Sequence, residues 1–138
     1  MDVMVYGSLK RGGHNNHWMG DAKYIGEASV RGYRLYSLGS FPAAARSWLG
    51  PEIHGEVYRV TPEQLANLDR LEGVETHFYR RVQVTTVEGA AVLMYVQLPL
   101  QVQGLKPVPG GRWPVERVER YEPESLDNDE LEESAQWA

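Results

Sequence analysis

The sequence predicts an α+β fold, a mostly antiparallel, barrel-like sheet with one main helix, and three observations predict it. A single segment, 61–72, carries clear helix start and stop signals. About five or six other runs have the β-branched, aromatic and turn-bounded composition of strands. Strands and helices do not alternate along the chain, which argues against a doubly wound parallel sheet. The 138 residues are enough for one domain with one sizeable core, and no internal repeat divides them.

Val3-Met4-Val5-Tyr6 is a short apolar run ended by Gly7-Ser8 and then by the polar, glycine-rich Lys10-Arg11-Gly12-Gly13, so it reads as a buried first strand entering a loop. From Tyr24 to Leu38 apolar residues alternate roughly with charged ones and are interrupted by Gly26 and Gly32, which predicts one or two bent strands with a bulge at a glycine. Ile53 to Val60 is a further strand, bounded by Gly50-Pro51 and Thr61-Pro62. In Thr61-Pro62-Glu63-Gln64 the threonine can cap, the proline suits the first helical position and the glutamine can complete a capping box. The helix runs to Leu71 or Glu72 and stops at Gly73. Phe78 to Val87 and Ala90 to Leu98 form a hairpin across Glu88-Gly89. Beyond Pro99 prolines and glycines thicken, and Val115 to Tyr121 reads as a short strand or helix. Residues 1–121 are thus expected to form a single domain and residues 122–138 an acidic, flexible tail.

The net charge of -5 belongs to that tail, which holds Glu122, Glu124, Asp127, Asp129, Glu130, Glu132 and Glu133 with no Lys or Arg, while the rest of the chain is nearly neutral. A nucleic-acid partner therefore has no global electrostatic support. The absence of cysteine excludes a disulfide scaffold, a thiolate zinc site and a cysteine nucleophile. Neither a signal peptide nor a long apolar span is written in the sequence, so no membrane partner is expected and a soluble, cytoplasmic protein is the expectation.

Glu72 is the residue most suggestive of chemistry. At about 100° per residue, with Leu65 at zero, Leu68 falls at about 300° and Glu72 at about 340°, so the carboxylate points with the leucines toward the core. Such a group must pair with a distant partner, sit in a cleft or hold its proton more tightly than usual. The plain alternative is a helix that frays at Gly73 and lets Glu72 turn to water. Tyr6-Gly7-Ser8-Leu9, at the end of the first strand, can turn backbone N–H groups outward as a nest for a carboxylate or oxyanion, although a Gly-Ser turn is commonly only a turn. Lys10 and Arg11 beside it could guide an anion or be solvated loop charges. His14 and His17 lack a third ligand and a fixed scaffold, so no metal site is expected. Ser8 has no Gly-x-Ser-x-Gly elbow, and the paired glycines match no nucleotide-binding fingerprint, so no cofactor is expected. Trp18, Trp48 and Trp113 are expected in the core or lining a pocket.

Taken in order, Val5-Tyr6-Gly7-Ser8-Leu9-Lys10-Arg11-Gly12, Gly55-Glu56-Val57-Tyr58, Leu68-Asp69-Arg70-Leu71-Glu72 and Tyr79-Arg80-Arg81 resemble the signature of the gamma-glutamylcyclotransferase-like superfamily, in particular its gamma-glutamylamine cyclotransferase branch, over about residues 3 to 98. The resemblance implies a compact mixed barrel with a pocket at one end. It implies that Glu72 is the catalytic acid/base and that Tyr6, Gly7, Ser8, Leu9 and Tyr79 bind the substrate. It implies a small-molecule gamma-glutamyl partner whose own α-amine attacks the γ-carbonyl and releases 5-oxoproline and a free amine, without metal or cofactor, in a monomer or homodimer. His14-Asn15-Asn16-His17-Trp18 is bulkier than the resemblance leads one to expect and could reshape the pocket rim. The competing reading is a non-catalytic small-molecule or protein binding module on the same barrel, and a weaker one is an amide hydrolase using a water.

Overall fold

The computed structural model describes residues 1–114; the expected short element at 115–121 and the acidic tail lie outside the described residues. Among them the chain forms β1 (Asp2–Val5), β2 (Lys23–Val30), β3 (Tyr33–Ser37), β4 (Pro42–Arg46), β5 (Ile53–Arg59), α1 (Pro62–Leu71), β6 (Arg80–Thr85) and β7 (Ala91–Gln97), with short 3₁₀ turns at Asn16–Met19, Pro99–Val102 and Pro109–Gly111. The predicted strands, the hairpin and the helix are all present. The expected glycine bulge is the register shift between Tyr24 and Gly26 where β2 pairs with β5.

β7 organises the sheet because nearly every residue of its apolar run is buried, as expected of a strand covered on both faces. β6 pairs with it antiparallel along its whole length, from Arg80↔Val96 to Thr85↔Ala91. A strand has two edges, so β1 and β4 must share the other one in succession. β1 pairs parallel at Val3↔Leu93 and Met4↔Met94, and β4 parallel at Ala44↔Val96 and Ala45↔Gln97. β1 continues antiparallel to β5 and then β2, while β4 continues antiparallel to β3. The sheet therefore forks at β7 into two wings. Its pairings are mostly antiparallel, as predicted, but it does not close among the described residues: the path ends at β2 and β3. Barrel is thus a loose description of an open mixed sheet. Both wings feed one core, with Val3, Met4 and Ile53 from one, Leu35 and Ala43 from the other and Met94 from β7.

β4 was not expected. Pro42-Ala43-Ala44-Ala45 has little intrinsic strand preference, and it is held instead by the edge of β7 and by two phenols described below. Of the three tryptophans expected in the core or lining a pocket, Trp113 is buried, whereas Trp48 is 77% and Trp18 47% exposed.

Helix α1 begins as its sequence dictates. Thr61 Oγ1 accepts from the Gln64 N–H at 3.1 Å, and Gln64 Oε1 accepts from the Thr61 N–H at 2.9 Å, a reciprocal capping box. It ends in a Schellman motif: the Gly73 N–H donates to the Arg70 carbonyl at 3.2 Å and the Val74 N–H to the Asp69 carbonyl at 3.0 Å. Gly73 sits at φ 69°, a left-handed conformation that glycine adopts without a Cβ penalty. This end is locked, with Glu72 as the C-cap directly after the last helical residue, Leu71.

Candidate active site

The locked helix end decides between the two readings of Glu72. The fraying alternative requires the last turn to open, but the Glu72 N–H donates to the Leu68 carbonyl at 2.9 Å and the Schellman bonds close over it. The side chain stays on the inward face beside Leu65 and Leu68 and is 0% exposed.

Three buried phenols share its surroundings. Burial raises the Tyr6, Tyr79 and Tyr95 hydroxyls far above the usual tyrosine value, and the charge of Glu72 adds to the rise in each, which places all three near the carboxylate. A phenol has one proton to donate, and each of these is committed to another acceptor. Tyr6 donates to the Tyr95 carbonyl at 2.7 Å, Tyr79 to the Pro42 carbonyl at 2.6 Å and Tyr95 to Asp69 Oδ1 at 2.8 Å. The Tyr6 oxygen also accepts from the Ala44 N–H at 3.1 Å, so this hydroxyl bridges β4 and β7 where β1 leaves the shared edge. The three hydroxyls thus bond backbone and Asp69, because buried phenols need partners.

The Tyr6-Gly7-Ser8-Leu9 turn is buried throughout and directly follows β1, so Tyr6 joins it to the surroundings of Glu72. The carbonyls of Gly7, Ser8 and Leu9 all face the following loop. Gly7 O accepts from the Lys10 N–H at 3.1 Å, Ser8 O from the Asn15 N–H at 3.2 Å and Leu9 O from Asn16 Nδ2 at 2.7 Å. In a trans peptide the N–H points opposite to its carbonyl. The amides of Ser8 and Leu9 are therefore aimed away from residues 10–16. Asn15, 2% exposed, holds the turn a second time by donating from Nδ2 to Ser8 Oγ at 3.0 Å. Gly13 allows this close return, since a Cβ there would lie 2.1 Å from the Ser8 oxygen.

The neighbouring charges are structurally engaged. Lys10 Nζ donates to the Trp113 carbonyl at 2.7 Å and ties the turn to the segment at 111–114. Arg11 pairs with Glu56 and stacks over Tyr24 at 3.8 Å. An open polar pocket of about 380 Å³ lies beside Lys10, lined also by Glu27, His54, Glu56 and Arg112. Its lining does not include Glu72, so it adjoins the turn without containing the carboxylate. No cluster of His, Asp and Glu suited to a metal ion occurs among the described residues, and no helix among them is long and apolar enough to cross a membrane.

The sequence pointed to Glu72, the turn and Tyr79; it did not point to Tyr95 or to the bracing role of Asn15. Tyr95 is one aromatic residue in an apolar strand, and no local pattern marks it. Asn15 could be suspected only from its place in the loop that follows the turn.

The family model described as gamma-glutamyl cyclotransferase, AIG2-like, matches residues 3–115. The chain belongs to this family. The match extends past residue 98, where the motifs legible in the sequence end. The gamma-glutamylcyclotransferase family protein YtfP of Escherichia coli strain K12 is 41% identical over 115 residues, covering 82% of this chain and 96% of that protein. A Vibrio cholerae relative is 33% identical over 112 residues, covering 80% and 93%. The solution NMR structure of the Escherichia coli ytfP protein superposes with a TM-score of 0.62 at 38% identity, covering 94% of this chain and 99% of that one. A crystal structure of a Pyrococcus horikoshii protein gives a TM-score of 0.68 at 26% identity, covering 87% and 95%. An AIG2-like protein from mouse, at 22% identity and a TM-score of 0.69, covering 91% and 92%, shares the fold.

Proposed function

We propose that the protein is a cyclotransferase acting on gamma-glutamyl amines, with Glu72 as its general acid/base. The observation that carries this reading is the fully buried carboxylate of Glu72, held inward by a locked helix end beside the Tyr6–Leu9 turn. Family membership supports the reaction class.

The reaction needs no protein nucleophile. The substrate's α-amine forms a bond to its own γ-carbonyl carbon, closing a five-membered ring, and the bond from that carbon to the leaving nitrogen then breaks. The products are 5-oxoproline and a free amine. Intramolecular attack has an effective molarity of order 10⁵ M or more once the chain is held in the reactive rotamer. The attacking ammonium gives up one proton to solvent to become a nucleophilic amine and a second as the lactam forms, and this second proton has to be taken up and delivered to the leaving nitrogen. A carboxyl group withdrawn from water holds a proton more readily than a solvated one, and Glu72 performs both transfers in turn. The Ser8 and Leu9 amides receive the substrate carboxylate or the developing oxyanion, where one donor is worth roughly 3 kcal/mol. The Tyr6 and Tyr79 rings, neutral because burial raises their hydroxyls, wall the site without competing for the proton.

The test is a panel of gamma-glutamyl-lysine, gamma-glutamyl amino acids and gamma-glutamyl aminoglycosides, with products identified by mass spectrometry. Release of 5-oxoproline supports the cyclotransferase; release of glutamate identifies a hydrolase. No turnover on any member defeats the enzymatic reading and leaves a binding module.

A further inference from the structure

The hydrogen bonds of Tyr95 reach both halves of the candidate site. Its backbone carbonyl accepts the Tyr6 hydroxyl at 2.7 Å, at the residue that opens the Tyr6–Leu9 turn. Its phenol, on a fully buried side chain, donates to Asp69 Oδ1 at 2.8 Å. Asp69 lies one helical turn before Glu72, and residues three apart on a helix are neighbours on its surface. The other oxygen of Asp69 is paired with Arg81 of β6, and its backbone carbonyl accepts the Val74 N–H that closes the helix end. Asp69 thereby ties α1, β6 and β7 together at the turn that carries Glu72.

We propose that Tyr95 and Asp69 are positioning residues that set the placement of Glu72 relative to the Tyr6–Leu9 turn, Tyr95 acting as a spacer between the two. The proposal rests on the reading of Glu72 as the acid/base of a gamma-glutamyl cyclotransferase. Tyr95 and Asp69 need not touch the substrate for this. Cutting the phenol arm leaves the ring and the backbone arm in place but releases the helix end from β7, and proton transfer is sensitive to small displacements of the acid/base.

The test measures kcat, KM and Tm for the wild type, Tyr95→Phe, Asp69→Ala, Asp69→Asn and the Tyr95→Phe/Asp69→Ala double variant. Tyr95→Phe and Asp69→Ala are expected to lower kcat about tenfold with KM within about twofold. Asp69→Asn, which keeps an oxygen for the phenol, is expected to retain most of kcat. The double variant is expected to fall no further than the singles, because both remove one shared interaction. Losses that multiply in the double variant, losses carried by KM, or folded single variants with kcat within about twofold of wild type overturn the proposal. Should the wild type turn over no gamma-glutamyl substrate, the proposed function fails by itself, and the positioning role is then decided by NMR couplings of the Glu72 side chain. A single rotamer in the wild type that becomes averaged in Tyr95→Phe supports it, and an unchanged rotamer refutes it.

Discussion

Replacing Tyr6 by Phe removes one oxygen from the point where the sheet forks. That oxygen donates to the Tyr95 carbonyl at 2.7 Å and accepts from the Ala44 N–H at 3.1 Å, so it closes the gap that β1 leaves on the edge of β7. Two buried hydrogen bonds are lost, each worth about 1 kcal/mol net, and a buried N–H and carbonyl are left to find new partners at about 1–3 kcal/mol each when they do not. Partial relaxation and the second lone pair of the carbonyl bring the expected loss to about 2–4 kcal/mol. That is a large share of the roughly 5–15 kcal/mol by which domains are stable. For a chain of this size it lowers Tm by about 10 °C. Tyr79→Phe, which removes a single bond to the Pro42 carbonyl at 2.6 Å, is the internal comparison and should cost about half as much. Urea unfolding of the wild type and both variants, with the m-value checked for constancy, gives the numbers. A Tyr6→Phe loss below about 0.5 kcal/mol, or one smaller than that of Tyr79→Phe, refutes the bridging role.

Three further outcomes are expected. Gly13→Ala places a Cβ 2.1 Å from the Ser8 oxygen, so the Tyr6–Leu9 turn must shift; a stability loss of about 1–3 kcal/mol with impaired turnover is expected, and unchanged kinetics contradict the account of the turn. Thr61→Ala breaks the capping box at the far end of α1 and should cost about 1 kcal/mol in urea unfolding while kcat stays within about twofold, since the Schellman end still holds Glu72. Burial holds the His14 and His54 imidazoles below their ordinary value of 6.5, with the positive charge of Arg112 and Lys10 adding to the effect at His54. The unfolded chain then takes up protons first as pH falls. The stabilisation is complete above 6.5 and is lost as pH drops from there through the folded values. Unfolding free energies at several pH values should decline over that window and do so less in a His14→Gln/His54→Gln variant; parallel profiles contradict this.

What the sequence made legible was local. The capping box of α1 lies within four consecutive residues, the hairpin turn at Glu88-Gly89 within two, and the inward direction of Glu72 follows from helical spacing to Leu65 and Leu68. The locking of Glu72 also traces to a neighbour, Gly73, whose left-handed conformation stops the helix without fraying it. What was not legible depends on partners far along the chain. β4 is alanine-rich and becomes a strand between β3 and the edge of β7, with Tyr6 and Tyr79 bonding its backbone from 38 and 37 residues away. The destinations of the three phenol protons could not be read either. Burial made backbone carbonyls and Asp69 their partners, from strands and a helix remote in sequence. Trp18 lies on the exposed side of a 3₁₀ turn whose Met19 is the buried residue, and Trp48 lies in the loop between β4 and β5, so neither enters the core.

The central claim is that Glu72 carries the proton in an intramolecular cyclisation. It is tested most directly by the rate of 5-oxoproline release from a gamma-glutamyl amine by the wild type and by Glu72→Gln, with folding of the variant checked by its Tm. The account predicts a folded variant whose rate falls by about 10²–10⁴ with little change in KM. A folded Glu72→Gln protein that releases 5-oxoproline at the wild-type rate contradicts it.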